Sequence, residues 1–214
     1  PSAFLNDQLP ASWVVMYDEF YGDGCGTWPN DLSDPVSLST VVFQYNLMRH
    51  MPERHVSAGG PGNVDYRYNL IDTDVTQAGA HENFLQFGGG AAGDVVVQFN
   101  TTYSTNNPSG AEGFQFYTNG TGSFASILFT NNTMIALGAG SQPSMSSMVH
   151  GDCHAGIDCS TTVSPIAGGG TDSDNYFDPT GAEGIYYGGS FTLPGATWAN
   201  GGNVNMVSGA AVSP

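Results

Sequence analysis

Glutamate side chains that directly precede predicted strands are candidates for acid–base chemistry on sugars. Glycoside hydrolysis needs two carboxyl groups across the scissile bond, separated by about 5–5.5 Å for retention or about 6.5–9.5 Å for inversion. Glu82 and Glu112 each stand immediately before a run of strand-forming residues, where a side chain can border a groove. The sequence offers this pair as catalytic carboxyl groups, with ordinary solvated carboxylates as the alternative.

A second chemistry, β-elimination from a uronic acid, is suggested by the alternating segment 65–69. Its alternation places Asp65, Arg67 and Asn69 on one face of a strand. Elimination needs a group that neutralises the substrate carboxylate and a base that works near neutral pH. Arg67 fits the first role, and His81 or a tyrosine fits the second. A structural ion pair between Arg67 and an acid such as Asp65 is the alternative.

Acidic and hydroxyl residues of the segment 172–183 have the spacing of a twelve-residue calcium loop. Oxygen-bearing side chains fall at loop positions 1, 3, 7, 9 and 12, which are Asp172, Asp174, Asp178, Thr180 and Glu183. Phe177 stands where such loops have glycine, and no flanking helices are predicted. The segment therefore predicts a Ca²⁺ site of a loop type, with metal-free acidic turns as the alternative.

The cysteines bear on the compartment of the protein. Cys153 and Cys159 enclose five residues and predict a disulfide that closes a short loop. Cys25 is then free or pairs with one of these two. A zinc site is the alternative, because two histidines lie among these cysteines, but the spacing fits no standard finger. Three glycosylation sequons, which begin at Asn100, Asn119 and Asn131, point to a secreted protein.

The charge balance excludes several classes of partner. Nineteen acidic residues against three arginines and no lysine give a net charge of −16, which repels nucleic-acid phosphates and anionic lipid head groups. No apolar run is close in length to the about 20 residues that a membrane-spanning helix needs. Because 40% of the residues are hydrophobic and only 10% are charged, the chain can nevertheless form a packed core.

Short runs rich in aromatic and β-branched residues dominate the chain and predict strands. The runs cover residues 13–17, 38–47, 65–71, 83–87, 94–100, 113–117, 123–129, 133–137, 184–193 and 204–207. Most are bounded by glycine, asparagine or proline, as in a sandwich or barrel. No internal repeat is evident. We therefore predict an all-β, single-domain antiparallel β-sandwich (jelly roll) over residues 1–214, with an irregular cysteine-containing loop at about 141–170.

Two segments resemble the concanavalin A-like jelly-roll superfamily. Residues 17–24 resemble the opening Asp-Glu-Phe-x-Gly-x-Gly of laminarinase-type glucanases. Residues 95–114 are similar to the metal-loop stretch of legume-type lectins. The same superfamily also includes laminin G-like modules. Gln98, Asn100 and Asn107 stand where the lectin pattern has carboxylates, and the glucanase motif Glu-x-Asp-x-x-Glu is absent from the sequence. The resemblance implies a jelly roll that handles carbohydrate.

Together these features predict a secreted protein that binds or cleaves polysaccharide. Aromatic side chains stack on sugar rings, and the first candidates are Trp28, Trp198, Tyr186 and Tyr187, with core packing as the alternative for each. A rival hypothesis is a structural subunit of a virion shell, filament or extracellular coat that assembles with copies of itself. Absence of a convincing active site and a low content of charge fit this rival.

Overall fold

The computed structural model describes residues 12–21, 40–49, 57–58, 62–73, 83–87, 92–104, 112–118, 124–138, 147–153, 169–186 and 198–212. All regular secondary structure in these ranges is β-strand. No helix of this part of the chain is long and apolar enough to cross a membrane.

The strands form three sheets. Sheet A contains β1 (Ser12–Met16), β3 (Thr40–Gln44), β6 (Asn63–Arg67), β9 (Ala92–Gln98), β12 (Phe124–Thr130), β15 (Gly170–Ser173) and β17 (Trp198–Gly201) in that spatial order. Sheet B contains β2 (Glu19–Tyr21), β4 (Leu47–Arg49), β7 (Leu70–Thr73), β10 (Thr101–Ser104), β13 (Thr133–Ala136), β16 (Tyr176–Asp178) and β18 (Val204–Asn205). Sheet C contains β5 (Ser57–Ala58), β8 (Asn83–Phe87), β11 (Glu112–Thr118) and β14 (Ser147–Cys153).

The prediction of an antiparallel jelly roll is wrong, because the pairing of these strands is parallel throughout. From each strand of sheet A the chain runs into a strand of sheet B. In the coils that contain β5, β8, β11 and β14 it then passes through sheet C. It returns to sheet A beside the strand that it left. Each circuit re-enters the sheet in the same direction, so neighbouring strands are necessarily parallel. Consecutive strands belong to different sheets, and the architecture is therefore a parallel β-helix.

The coils of this helix are a structural repeat that the sequence analysis did not find. Four successive coils pass from sheet A to sheet B through a pattern of alternating apolar residues followed by a corner residue and asparagine, at residues 41–46, 64–69, 95–100 and 127–132. The asparagines of neighbouring coils are separated by 23 to 43 residues. Because these intervals are unequal, the sequence shows no fixed period.

The core lies between the three sheets and follows from alternation along each strand. In sheet A, Phe43, Tyr66, Val97 and Phe129 occupy one inward column in register and are fully buried. Phe43 and Tyr66 stack with ring centroids 5.7 Å apart. Burial of each large apolar side chain contributes about 1.5–3 kcal/mol, so this column is a major stabilising element of the fold.

The edge of β18 is covered by the segment that follows it. Residues 206–208 form a turn, and Ala211 then makes an antiparallel bridge with Val204. The Asn205 N–H donates to the Ala210 carbonyl at 2.9 Å, and the Val212 N–H donates to Asn203 at 2.9 Å. Such a segment satisfies backbone groups that would otherwise be open to another strand.

The predicted irregular loop at 141–170 is corrected in part, because β14 lies inside it and pairs with β11. Cys153 is the last residue of β14. Cys159 and Cys25 lie outside the described residues, so the predicted disulfide stays a prediction.

Candidate functional site

The corner between sheets A and B is built from a residue with positive φ, which from Tyr45 onward is followed by a buried asparagine. The corner residues Tyr17, Tyr45, Tyr68, Phe99, Asn131 and Asp174 have φ between 56 and 62°, and Gly202 has φ 72°. A left-handed conformation costs a residue other than glycine about 1–2 kcal/mol. Its recurrence on successive coils means that the contacts on both sides of the corner offset this cost.

Inside the corner, buried asparagines form a continuous hydrogen-bonded ladder. Its members are Asn46, Asn69, Asn100, Asn132, Asn175 and Asn203, each at most 2% exposed. Within the ladder, Asn69 donates from its backbone N–H and from Nδ2 to Asn100 Oδ1, at 3.0 Å in both cases. The second Nδ2 hydrogen of Asn69 goes to the Phe43 carbonyl at 2.9 Å. Asn100 and Asn132 repeat the pattern, so every described coil boundary here is joined by side-chain amides.

The ladder ends on a buried carboxylate. Asp172 occupies the inward column of sheet A beside Phe129, and accepts hydrogen bonds from Asn175 Nδ2 at 2.8 Å, Asn203 Nδ2 at 2.9 Å and the Tyr186 hydroxyl at 2.8 Å. Burial raises the pKa of Asp172, and these hydrogen bonds oppose the increase. Burial also raises the pKa of Tyr186, with a further contribution from the Asp172 charge. The cluster therefore caps the ladder with a polar group inside the core.

Outside the same corner, four aromatic side chains form what we call the ring stack: Tyr17, Tyr45, Tyr68 and Phe99. Successive ring centroids are 5.0, 4.8 and 5.1 Å apart and the rings are within 7° of parallel. Tyr17 is 74% exposed, and the other three rings are 40–43% exposed. Because the faces of neighbouring rings cover each other, the stack presents mainly ring edges and hydroxyl groups to solvent.

Next to the ring stack, sheet A carries a column of outward-facing hydrogen-bonding side chains, the polar column: Gln44, Arg67, Gln98, Thr130 and Ser173. Thr130 is only 4% exposed, and the other four are half-buried. The strand registers align these residues one per coil. Gln98 Nε2 donates to Thr130 Oγ1 at 2.7 Å. The next outward column is mostly aliphatic and contains Val14, Val42, Asp65, Val96 and Leu128.

Arg67 is the cation of this face, and its charge is offset by a neighbour. Its Nε donates to Asp65 Oδ1 at 2.5 Å, and its second nitrogen contacts Asp65 Oδ2. This hydrogen bond is the main reason that the pKa of Arg67 is raised. The structural alternative for Arg67, an ion pair with Asp65, is what the structure contains. Asp65 thus already offsets the positive charge that Arg67 would offer to a uronate.

Two of the four predicted catalytic residues, Arg67 and Glu112, lie in the described part of the chain. Arg67 lies in sheet A, whereas Glu112 begins β11 in sheet C, where it pairs in backbone register with Asn83. Glu82 and His81 lie outside the described residues. Each predicted pair therefore has one member outside the described residues, and both pairs stay predictions.

The predicted calcium ligands also point in different directions. Asp172 is directed into the core, whereas Asp174 is exposed at the corner and Asp178 accepts a hydrogen bond from Thr180 Oγ1 at 2.6 Å. Glu183 is exposed. Among the residues that the structure describes, no group of three or more histidine, cysteine or acidic side chains could hold a metal ion.

Of the predicted sugar-stacking aromatics, Tyr186 is only 6% exposed and its hydroxyl is held by Asp172, so it packs in the core. Trp198 begins β17 in sheet A. Trp28 and Tyr187 lie outside the described ranges.

The three sequons have different surroundings. Asn100 is 1% exposed and both hydrogens of its Nδ2 are bonded inside the ladder, which leaves no space for a glycan on the folded coil. Asn131 is a half-buried corner residue. Asn119 lies outside the described residues.

Sequence analysis missed the ladder and the ring stack. Their signal was present as an aromatic residue followed by asparagine after an alternating run, at residues 45–46, 68–69 and 99–100. Tyrosine and phenylalanine favour strands, so these pairs were assigned to strand interiors or ends rather than to corners.

The chain was also compared with known proteins. No protein-family model matches it, and neither does any curated protein or solved structure.

Proposed function

We propose that this protein binds an extended, uncharged polysaccharide outside the cell, with the sugar chain lying along the helix axis over the polar column. The observation that carries the proposal is the register of Gln44, Arg67 and Gln98, which repeats a hydrogen-bonding side chain once per coil. Neighbouring strands are about 4.8 Å apart, so the column offers regularly spaced partners to a ligand that is itself a regular polymer.

The surroundings of the polar column suit a sugar chain. Hexoses have hydroxyl edges and apolar C–H faces, and the column lies between an aliphatic column on one side and the ring stack on the other. Amide and hydroxyl side chains both donate and accept, as sugar hydroxyls require. The proposal therefore uses a whole face of the helix rather than a single pocket.

The charge favours a neutral ligand over a polyuronate. The net charge of −16 repels polyanions, and Arg67 is already paired with Asp65. Two carboxylates on this face already have partners. Asp94 accepts a hydrogen bond from Ser126 Oγ at 2.6 Å, and Asp65 forms an ion pair with Arg67. The proposed activity is accordingly binding, without a chemical step.

The proposal is tested by affinity electrophoresis and calorimetry. The ligands are soluble neutral polysaccharides (xylan, mixed-linkage glucan and galactomannan) and the polyanion polygalacturonate. The double variant Gln44→Ala, Gln98→Ala should weaken binding of the neutral ligand by at least about tenfold, or about 1.4 kcal/mol. The matched control Thr101→Ala, Thr133→Ala alters outward positions of sheet B and should bind as the parent does. Binding to none of the neutral polymers, or an equal loss in the control, would overturn the proposal.

The rival function, a subunit of a shell, filament or coat, has one observation that bears on it. Parallel β-helices can associate end to end through open strand edges, but the edge of β18 is covered by its antiparallel bridge with Ala211. Light scattering across a concentration series distinguishes the two functions, because a coat subunit forms regular assemblies without polysaccharide.

A further inference from the structure

We infer that the first three residues of the ring stack are a site of intramolecular dityrosine cross-linking. Tyr17, Tyr45 and Tyr68 lie on successive coils, with centroids 5.0 Å and 4.8 Å apart. They are 74%, 42% and 40% exposed, so an oxidant can reach their hydroxyl groups. This inference is independent of the proposed polysaccharide binding.

The fold supplies the proximity that coupling requires. Two tyrosyl radicals must meet before either is quenched, and the stack holds each phenol against the next in every folded molecule. Tyr45 is the common partner, since it stacks on Tyr17 on one side and on Tyr68 on the other. Phe99 follows Tyr68 in the stack but has no hydroxyl and ends the reactive series.

The chemistry balances with hydrogen peroxide as oxidant and a haem peroxidase as catalyst. Each phenol loses one electron and one proton to become a tyrosyl radical, and peroxide is reduced to two molecules of water. The two radicals form one carbon–carbon bond between ring positions ortho to the oxygens. Each ortho hydrogen then moves back to its phenol oxygen, so the product has lost two hydrogen atoms overall.

The cross-link joins neighbouring coils covalently. A bond between Tyr45 and Tyr68 closes the chain across one coil, at the same corner where Asn46 donates to Asn69. Separation of these two coils on unfolding is then impossible, and the constraint acts chiefly by lowering the entropy of the unfolded chain. An oxidising extracellular environment would in this way strengthen the N-terminal coils.

The test treats the full chain at low concentration with horseradish peroxidase and hydrogen peroxide, and monitors dityrosine fluorescence and peptide masses after trypsin. Cleavage at Arg49, Arg54 and Arg67 places Tyr17 and Tyr45 in peptide 1–49 and Tyr68 in peptide 68–214. We expect a two-hydrogen loss within peptide 1–49, or a covalent adduct of peptides 1–49 and 68–214, in a monomeric product.

Tyr45→Phe is the decisive variant, because it keeps the ring stack and removes the shared phenol. Its intramolecular yield should fall at least tenfold, whereas Tyr103→Phe, which alters an exposed tyrosine of sheet B, should give the parent yield. Denaturation in guanidinium before oxidation should also lower the parent yield. Absence of dityrosine, purely intermolecular products, or an unchanged yield in Tyr45→Phe would each overturn the inference.

Discussion

Asn100 Oδ1 accepts two hydrogen bonds from Asn69, one from the backbone N–H and one from Nδ2, both at 3.0 Å. A single side-chain oxygen therefore satisfies a buried backbone donor and a buried amide of the preceding coil. Asn100 in turn donates to the Tyr66 carbonyl at 3.0 Å. The asparagine ladder thus meets the hydrogen-bonding needs of a corner where the sheets themselves provide no partners.

Asn100→Ala should lower the free energy of unfolding by about 3 kcal/mol, because it leaves several buried donors and acceptors of Asn69, Tyr66 and Asn132 without partners. Urea denaturation measures the change. Asn63→Ala is the matched control, since Asn63 is exposed and accepts one hydrogen bond from the Asp94 N–H, and its cost should stay below about 1 kcal/mol. Equal costs for the two variants would contradict the structural role of the ladder.

Substitutions of Tyr45 should separate ring stacking from backbone strain. Tyr45→Phe should be close to neutral because it keeps both stacked contacts, whereas Tyr45→Ala should cost about 1–3 kcal/mol through their loss. Tyr45→Gly should be more stable than Tyr45→Ala, because φ at this corner is 57° and glycine adopts that conformation without strain. Thermal and urea unfolding give the order of stability of the three variants. A Tyr45→Ala variant more stable than Tyr45→Gly would contradict the role of backbone strain.

Gly113→Ala should be strongly destabilising. An added Cβ would lie 2.0 Å from the Met148 carbonyl oxygen of the neighbouring strand, so the backbone of β11 or β14 would have to move. The expected cost exceeds about 2 kcal/mol. Gly201→Ala is the control, since its Cβ would meet no atom within 4 Å, and it should change the unfolding free energy by less than about 0.5 kcal/mol. Similar unfolding midpoints for the two variants would show that the close approach is absent in solution.

Asp172 should make stability depend on pH in a direction opposite to that of a salt-bridged carboxylate. Burial raises the pKa of Asp172 in the folded protein above its ordinary value of 3.8. Its contribution is therefore fully present below that ordinary value and is lost as the pH rises through the raised pKa. The unfolding free energy of the parent minus that of Asp172→Asn should fall as pH increases across this range.

The comparison with Asp172→Asn is needed because the other acidic residues also titrate. Both variants carry those residues, so the difference isolates the group that faces Tyr186, Asn175 and Asn203. Urea denaturation at a series of pH values provides the difference. A difference that is constant would mean that the hydrogen bonds cancel the effect of burial on the pKa, and one that rises with pH would mean that they outweigh it; either result would contradict the prediction.

Much of the local structure followed from the sequence. The run 83–87 forms β8 with the predicted bounds, and the predicted run 113–117 lies within β11, where Phe114 and Phe116 are completely buried. These features depend on residues close together in the chain. Side-chain alternation and β propensity are local properties, and the sequence displays them directly.

The corners were not predicted, and they changed the fold. The runs 38–47 and 65–71 were each expected to be one strand, but each begins in or before a strand of sheet A, passes a corner and ends inside a strand of sheet B. Tyr45 and Tyr68 turn the chain with positive φ, a conformation usually associated with glycine. Without these corners, alternating strands in an antiparallel sandwich were the simplest arrangement.

The sequence by itself determined that the chain forms short strands, that its interior is largely aromatic and aliphatic, and that its net charge is −16. Only the tertiary structure decided that the strands run parallel, that the asparagines stack into a ladder and that Asp172 points into the core. The physical reason is that alternation with a period of two is the same in parallel and antiparallel sheets. Direction and register are set by contacts between coils 23 to 43 residues apart, which no local pattern contains.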